Sequence, residues 1–249
     1  MSSIQQSLSV FNKFNFEKTP IAIKFLFDKP EGIKRLDKNL ALCEILREAQ
    51  EKKSPFYIDL ENQACEPGAY IWGVDTAKVF QAGHFGAALK IFKEARANRK
   101  IYQDFPRLDK DIVKYMAFSQ LGKLSFDPDL LIILTDNVSQ TEIILRAMSY
   151  TTGEIWSSKM TNVLGCAWLF VYPYLTGEVN YMVTGLGFGL KARRVFPEGR
   201  QLISIPYNWL PVITQNLQEM PWVLSAYTDK DGESVKQAYI ELGFTPPQD

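Results

Sequence analysis

Leu130-Leu131-Ile132-Ile133-Leu134-Thr135 is the stretch that decides how this chain folds. A short strand that is apolar at nearly every position is buried on both faces of its sheet. Asp127-Pro128-Asp129 precedes it as a turn, and residues 139–150 follow it with apolar side chains on one side of a helix. The strand and the helix that follows it predict a strand-to-helix crossover of the kind that parallel or mixed sheets use.

Further strands and helices are predicted on both sides of this unit. Strand patterns rich in β-branched and aromatic residues cover residues 21–27, 56–60, 112–121, 180–184 and 202–205. Helical spacing of apolar residues covers residues 2–16, 39–52, 75–81, 87–97 and 209–219. The apolar run 163–171 fits a strand or a buried helix equally well. Lys24, the one charge in its strand, is expected to reach a surface or a site.

These elements predict an α+β fold, a mixed α/β arrangement with a partly antiparallel sheet and flanking helices. No internal repeat, low-complexity tract or linker divides the sequence, so residues 1–249 are expected to form a single globular domain.

The charge balance argues against two classes of partner. Lys and Arg total 28, and Asp and Glu also total 28, so no overall field steers the chain onto nucleic acid or an acidic membrane. The apolar run 163–175 is shorter than the ~20 residues of a membrane span. Residues 1–16 lack the features of a secretory signal. We therefore expect a cytoplasmic protein that binds neither nucleic acid nor membranes.

Three cysteines, Cys43, Cys65 and Cys166, are the first candidate site residues. Their separations of 22 and 101 positions match none of the short ligand spacings of zinc fingers or ferredoxins. Disulfides are disfavoured in a reducing compartment. From spacing alone, three unrelated buried thiols are favoured, because free cysteine behaves as a small hydrophobe.

Two further motifs have a structural and a functional interpretation. Gly185-Leu186-Gly187-Phe188-Gly189 lacks the spacing of a dinucleotide-binding loop, and indicates a bent or edge strand or a wall where a ligand approaches the main chain. His84, the one histidine, is flanked by Gly83 and Gly86 and is expected in a surface loop between helices. No G-x-S-x-G, H-E-x-x-H or P-loop motif is present.

The order of these features resembles an uncharacterised family of archaea and bacteria known as domain of unknown function 169. The resemblance covers residues 19–220 and leaves residues 221–249 as a C-terminal extension. Its most specific parts are the strand Pro20-Ile21-Ala22-Ile23-Lys24-Phe25 and the turn Cys65-Glu66-Pro67-Gly68-Ala69. Members carry cysteines in the places of Cys43, Cys65 and Cys166, and often a fourth in a Leu-Gly-Cys-x-Gly-x-Arg segment.

This sequence departs from the family pattern at that fourth position. Phe188 stands where the fourth cysteine would be, and Arg193 lies one residue later than the family's arginine. The departure leaves a three-cysteine site with one open position, or a degenerate member whose thiols are remnants.

The resemblance implies no activity, but it implies that the three cysteines belong to one site. Soft thiolates select iron–sulfur clusters, zinc or copper(I), and a structural zinc normally needs four closed ligands. A four-iron, four-sulfur cluster held by Cys43, Cys65 and Cys166 fits best, with one iron open for redox or Lewis-acid chemistry. Gly68 and Gly187 would let backbone N–H groups approach the sulfurs, and Arg193 completes the expected cofactor site.

Two alternatives remain beside the cluster. One is a non-catalytic ligand-binding or regulatory domain, its cavity walled by residues 185–189 and by Tyr70, Trp72 and Trp168. The other is a scaffold with inert buried thiols. The expected partners are a small-molecule ligand or a redox partner. The mutual placement of the three cysteines discriminates among these hypotheses.

Overall fold

A seven-stranded sheet runs through residues 7–246, the part of the chain that this computed structural model describes. The strands are β1 Ile21–Leu26, β2 Lys34–Arg35, β3 Phe56–Ile58, β4 Tyr115–Gln120, β5 Leu130–Thr135, β6 Asn180–Val183 and β7 Gln201–Pro206. Their order in the sheet is β2-β3-β4-β1-β5-β7-β6. The β2–β3 pair is parallel and every other pair is antiparallel, which confirms a mixed sheet and the α+β class.

Helices cover both faces of this sheet. They are α1 Leu42–Glu51, α2 Glu66–Ile71, α3 Lys78–Gln81, α4 His84–Ala88, α5 Ala95–Asp104, α6 Val138–Ser149, α7 Tyr172–Thr176, α8 Phe188–Ala192, α9 Leu210–Glu219, α10 Ser225–Thr228 and α11 Glu233–Glu241. A π-helical turn, Ala167–Val171, leads directly into α7, and 3₁₀ turns lie at Leu8–Phe14, Leu60–Asn62, Leu121–Lys123 and Tyr207–Trp209. No helix within residues 7–246 is long and apolar enough to cross a membrane.

The strand β5 lies in the interior of the sheet, between β1 and β7, and all six of its residues are buried, as predicted. Its alternate side chains point to opposite faces. Leu130, Ile132 and Leu134 join the core beneath α1 and α2. Leu131 and Ile133 join a second core with α6, α9 and the first 3₁₀ turn. The sheet is thus the middle of three layers.

The predicted strand-to-helix crossover connects β5 through α6 to β6, which runs parallel to β5 because both strands are antiparallel to β7, the strand between them. Both neighbours of β5, the strands β1 and β7, run antiparallel to it. The helix α6 forms as expected, with the Asn137 side chain accepting a hydrogen bond from the Gln140 N–H at 3.0 Å. After α6 the chain forms β6 at the edge of the sheet and then β7, which pairs with β5. The backbone N–H and C=O groups of β5 therefore bond to antiparallel neighbours on both sides.

Two segments predicted as turn or strand are helical. The Pro-Gly pair of residues 67–68 lies inside α2, where proline is tolerated in the first turn because its missing N–H has no helical partner there. The glycine-rich segment 185–189 is not a strand, since β6 ends at Val183 and α8 begins at Phe188. The ambiguous run 163–171 is resolved as helical by its π turn.

Several element boundaries also shifted. The predicted helix 2–16 appears as the 3₁₀ turn Leu8–Phe14, and its residues 2–6 lie outside the described range. The predicted helices 75–81 and 87–97 are replaced by α3, α4 and α5, so His84 begins a helix instead of lying in a loop. Lys24 reaches Asp129, with Nζ 3.0 Å from Oδ1 in a half-buried ion pair.

Candidate functional site

Each of the three cysteines lies at the start of a helical segment. Cys43 is the second residue of α1, Cys65 caps α2, and Cys166 immediately precedes the π turn. The three positions are distant in sequence, yet all three side chains line one cavity of about 290 Å³. A helix start carries a partial positive charge that favours an anion such as a thiolate. The fold therefore brings the cysteines of the sequence prediction to a common space.

The cavity walls are mostly apolar, and they come from three parts of the chain. The first part surrounds Cys43 and Cys65, and the second comprises residues 163–166 with α8. The third is a helical cap, which we define as residues 78–104 and which spans α3, α4 and α5. The cap contributes Phe80, Phe85, Gly86, Ile91, Asn98 and Tyr102.

Burial controls the protonation of the thiols. It raises the pKa of Cys43 to about 11, against an opposing effect from the positive charge of Arg193. Burial also raises the pKa of Cys166 well above its usual value, and the charges of Cys43 and Cys65 act in the same direction. Cys166 retains some accessible surface because it lines the cavity. Without a bound cation, the thiols of Cys43 and Cys166 are therefore protonated at neutral pH.

The backbone before Cys166 is strained. Leu164 has a φ of 61°, in the left-handed region that costs a non-glycine residue roughly 1–2 kcal/mol. Its carbonyl accepts a hydrogen bond from the Ala167 N–H at 2.9 Å, and Leu164 itself lines the cavity. Strain of this kind concentrates at functional sites.

Arg193 lines the cavity, as the sequence predicted. Its Nε lies 3.8 Å from Oε2 of Glu44, and the same oxygen accepts the Ala41 N–H at 2.9 Å. This chain of contacts holds the guanidinium beside the first turn of α1. Arg193 thus supplies positive charge near Cys43 without direct contact to a thiol.

Tyr102 is a polar group of the cavity wall that the sequence did not single out. Burial raises its pKa, and the charges of Cys65 and Cys166 act in the same direction. Its hydroxyl has no hydrogen bond to any other residue within 7–246. Tyr102 therefore offers a neutral hydroxyl to whatever occupies the cavity.

The two predicted glycines have different positions. Gly68 lines the cavity, but a Cβ there would lie 3.1 Å from the Gln63 side chain, so its small size accommodates Gln63. The Gln63 Oε1 accepts the Cys65 N–H at 3.2 Å. Gly187 does not line this cavity, and a Cβ on it would lie 2.9 Å from Cε of Met160.

Phe188 does line the cavity, at the position where the family resemblance predicted a fourth cysteine. The aromatic residues expected to form a ligand cavity have other roles. Tyr70 and Trp72 are buried in the core that the sheet forms with α1 and α2, and Trp168 packs against that core. The aromatic walls come instead from Phe80, Phe85, Tyr102 and Phe188, whose convergence no local pattern could reveal.

The donor set of the cavity is made of three thiols. Within residues 7–246, no group of three or more His, Cys, Asp or Glu side chains is arranged so that it could hold a metal ion. The chemistry of the donors nevertheless suits an iron–sulfur cluster, because soft thiolates are its usual ligands and apolar walls shield it from water.

Comparison with known proteins places the chain among uncharacterised relatives. The sequence model of the family described as uncharacterised ArCR, domain of unknown function 169, matches residues 11–216. An uncharacterised protein of Methanocaldococcus jannaschii is 22% identical over 207 residues, covering 81% of this chain and 88% of that protein. No solved structure matches.

Proposed function

The chain belongs to the uncharacterised ArCR family, domain of unknown function 169, and on that premise we propose that Cys43, Cys65 and Cys166 bind an iron–sulfur cluster. A four-iron, four-sulfur cluster held by three cysteines leaves one iron open. Bound there, it would supply a Lewis acid or a redox centre. The proposal includes a cytoplasmic location, where thiols stay reduced and available as ligands.

One observation supports this proposal above the others. The three cysteines of the chain are separated by 22 and 101 positions and come from three different helical starts, yet they line a single cavity. Unrelated core thiols would have no reason to share one wall. The apolar surroundings also suit a cluster, since burial and the hydrogen bonds to sulfur set its potential.

The electrostatics of the cavity are compatible with a bound cluster. The raised pKa values of Cys43 and Cys166 mean that these thiols must lose protons when they become ligands, so cluster binding releases protons. Arg193 and the start of α1 provide positive charge for the resulting thiolates. The helical cap contributes one wall of the cavity that the thiols line.

Metal and sulfide analysis of anaerobically purified protein tests the proposal. We expect iron and acid-labile sulfide together with broad visible absorbance, and we expect each of C43A, C65A and C166A to lose them. Protein that contains neither iron nor sulfide after anaerobic reconstitution would contradict the proposal.

The variant F188C provides a matched control for the open position. It places a thiol where the family resemblance predicts a fourth cysteine, at a position that already lines the cavity. We expect F188C to bind the cluster and to retain it longer in air than the wild type. Faster loss in F188C would argue against an open coordination position beside residue 188.

The ligand-binding alternative is favoured by a different observation, the apolar and aromatic walls of the same cavity. In that case the cavity binds a small regulatory molecule and the thiols are inert. A ligand-dependent rise in melting temperature would then persist after all three cysteines are replaced by serine.

A further inference from the structure

The cap over the cavity packs closely at two glycines, where an added Cβ would force a neighbouring atom to shift. A Cβ on Gly83 would lie 2.1 Å from the Ala95 carbonyl oxygen, and Gly83 has a φ of 83°. A Cβ on Gly86 would lie 2.4 Å from Nδ2 of Asn98. The close approach of α4 to α5 therefore fixes the position of the Asn98 side chain between them.

Asn98 is buried at the cavity wall, and the oxygen of its side-chain amide has no hydrogen-bond partner among residues 7–246. The side chain is 2% exposed, and Nδ2 donates a hydrogen bond to the Gly83 carbonyl at 3.2 Å. Its Oδ1 has no partner among residues 7–246. An unsatisfied buried acceptor costs about 1–3 kcal/mol, so native structures keep few of them. Because Asn98 lines the cavity, a bound molecule can supply the missing donor.

The size and chemistry of the cavity restrict that molecule. An engineered apolar cavity of about 150 Å³ in another protein binds benzene, and this cavity has about 290 Å³. A single substituted ring therefore fits. Two charged side chains line the cavity, and both have partners: Arg193 Nε lies 3.8 Å from Glu44 Oε2, and Glu66 Oε1 accepts the Ala77 N–H at 2.7 Å. We therefore expect an uncharged ligand.

We propose that this cavity binds a small, uncharged, largely apolar molecule whose hydroxyl group donates a hydrogen bond to Asn98 Oδ1. The free hydroxyl of Tyr102 is a second polar group for the same ligand. The inference rests on Asn98 and the cap, and it concerns the cavity without a cluster, in which the thiols are not ligands.

The test compares three probes on the metal-free full chain by isothermal titration calorimetry. The probes are p-cresol, toluene and 4-methylanisole, which share one ring and differ in the hydroxyl. We expect p-cresol to bind about tenfold more tightly than toluene, since a relieved buried acceptor is worth about 1.4 kcal/mol or more. The anisole carries an oxygen but no donor, so it should bind no better than toluene.

The variant N98L should bind toluene and lose the preference for p-cresol. N208L is the matched control, because the Asn208 Nδ2 also donates to a glycine carbonyl, that of Gly177 at 3.1 Å, outside the cavity. We expect N208L to keep the preference. If N98L does not fold, the three-probe comparison on the wild type decides by itself.

Equal binding of p-cresol and toluene to the wild type would overturn the proposal, as would a preference that survives in N98L. Binding of none of the probes would mean that the cavity holds water alone, and would overturn it too. The titration uses metal-free protein, so a negative titration contradicts the ligand proposal and leaves the result of the iron and sulfide analysis unchanged.

Discussion

At the scale of single residues, burial sets the pKa of a cysteine thiol, and its position in the fold sets which groups surround it. Cys43 is 8% exposed in an apolar wall, and burial is the main reason for its high pKa. Spacing in the sequence favoured three unrelated thiols, and the structure placed all three on one cavity. The family resemblance predicts one shared cysteine site, and the iron and sulfide analysis tests that prediction.

The raised pKa of Cys43 makes stability depend on pH. In the unfolded chain the thiol loses its proton near pH 9, whereas in the folded protein it keeps the proton up to about pH 11. The folded state therefore binds more protons in this range, and the free energy of unfolding falls as pH rises from 9 to 11. Cys43 alone contributes about 2–3 kcal/mol to this loss.

Urea unfolding of metal-free, reduced protein at pH 8 and pH 10.5 measures the effect. C43A is the control, because it keeps every other titrating group. We expect the wild type to lose more stability than C43A between the two pH values. An identical loss in both proteins would show that Cys43 is not buried as described.

At the scale of elements, the helical cap was the least predictable part of the fold. Its helices α3 and α4 have four and five residues, too short for a clear apolar period, and much of their surface is exposed. The sequence marked Gly83 and Gly86 as a loop around His84. In the structure the two glycines instead allow α4 to pack closely against α5.

The variant G83A tests this packing. Gly83 combines a positive φ with a Cβ position only 2.1 Å from a backbone oxygen, so we expect a loss of about 3 kcal/mol or local opening of the cap. G32A is the matched control, because Gly32 also has a positive φ, 70°, but has nothing within 4 Å of the modified position. We expect it to cost about 1 kcal/mol.

Denaturant unfolding with hydrogen exchange of residues 78–104 distinguishes the two variants. G83A should raise exchange in the cap, and G32A should not. Equal costs for both substitutions would mean that the positive φ accounts for the whole effect and that the cap is not tightly packed.

At the scale of the whole molecule, the two faces of the sheet pack against different parts of the chain. One face supports the cysteine cavity, and the other packs on α6, α9 and the first 3₁₀ turn. Trp222 closes this second face. Its ring stacks on Phe14 at a centroid distance of 4.3 Å, and its carbonyl accepts a hydrogen bond from Arg146 at 2.8 Å.

Beyond Trp222, the helices α10 and α11 leave most of their surface exposed and contribute no residue to either core. We expect removal of residues 225–249 to change the free energy of unfolding by less than about 1 kcal/mol, whereas W222A should cost about 2 kcal/mol. Urea unfolding of the two variants checks this contrast. A truncation as costly as W222A would show that the C-terminal helices stabilise the fold.

Local apolar patterns and turn residues in the sequence were enough to specify the strands β1, β3, β4, β5, β6 and β7 and the helices α1, α6 and α9. Tertiary structure alone decided the antiparallel order of the sheet, the helical state of residues 66–71 and 188–192, and the meeting of three cysteines with Asn98 and Tyr102. These features depend on pairing and packing between segments far apart in the chain. No local period carries that information, so only the assembled sheet and cap could place the thiols around one cavity.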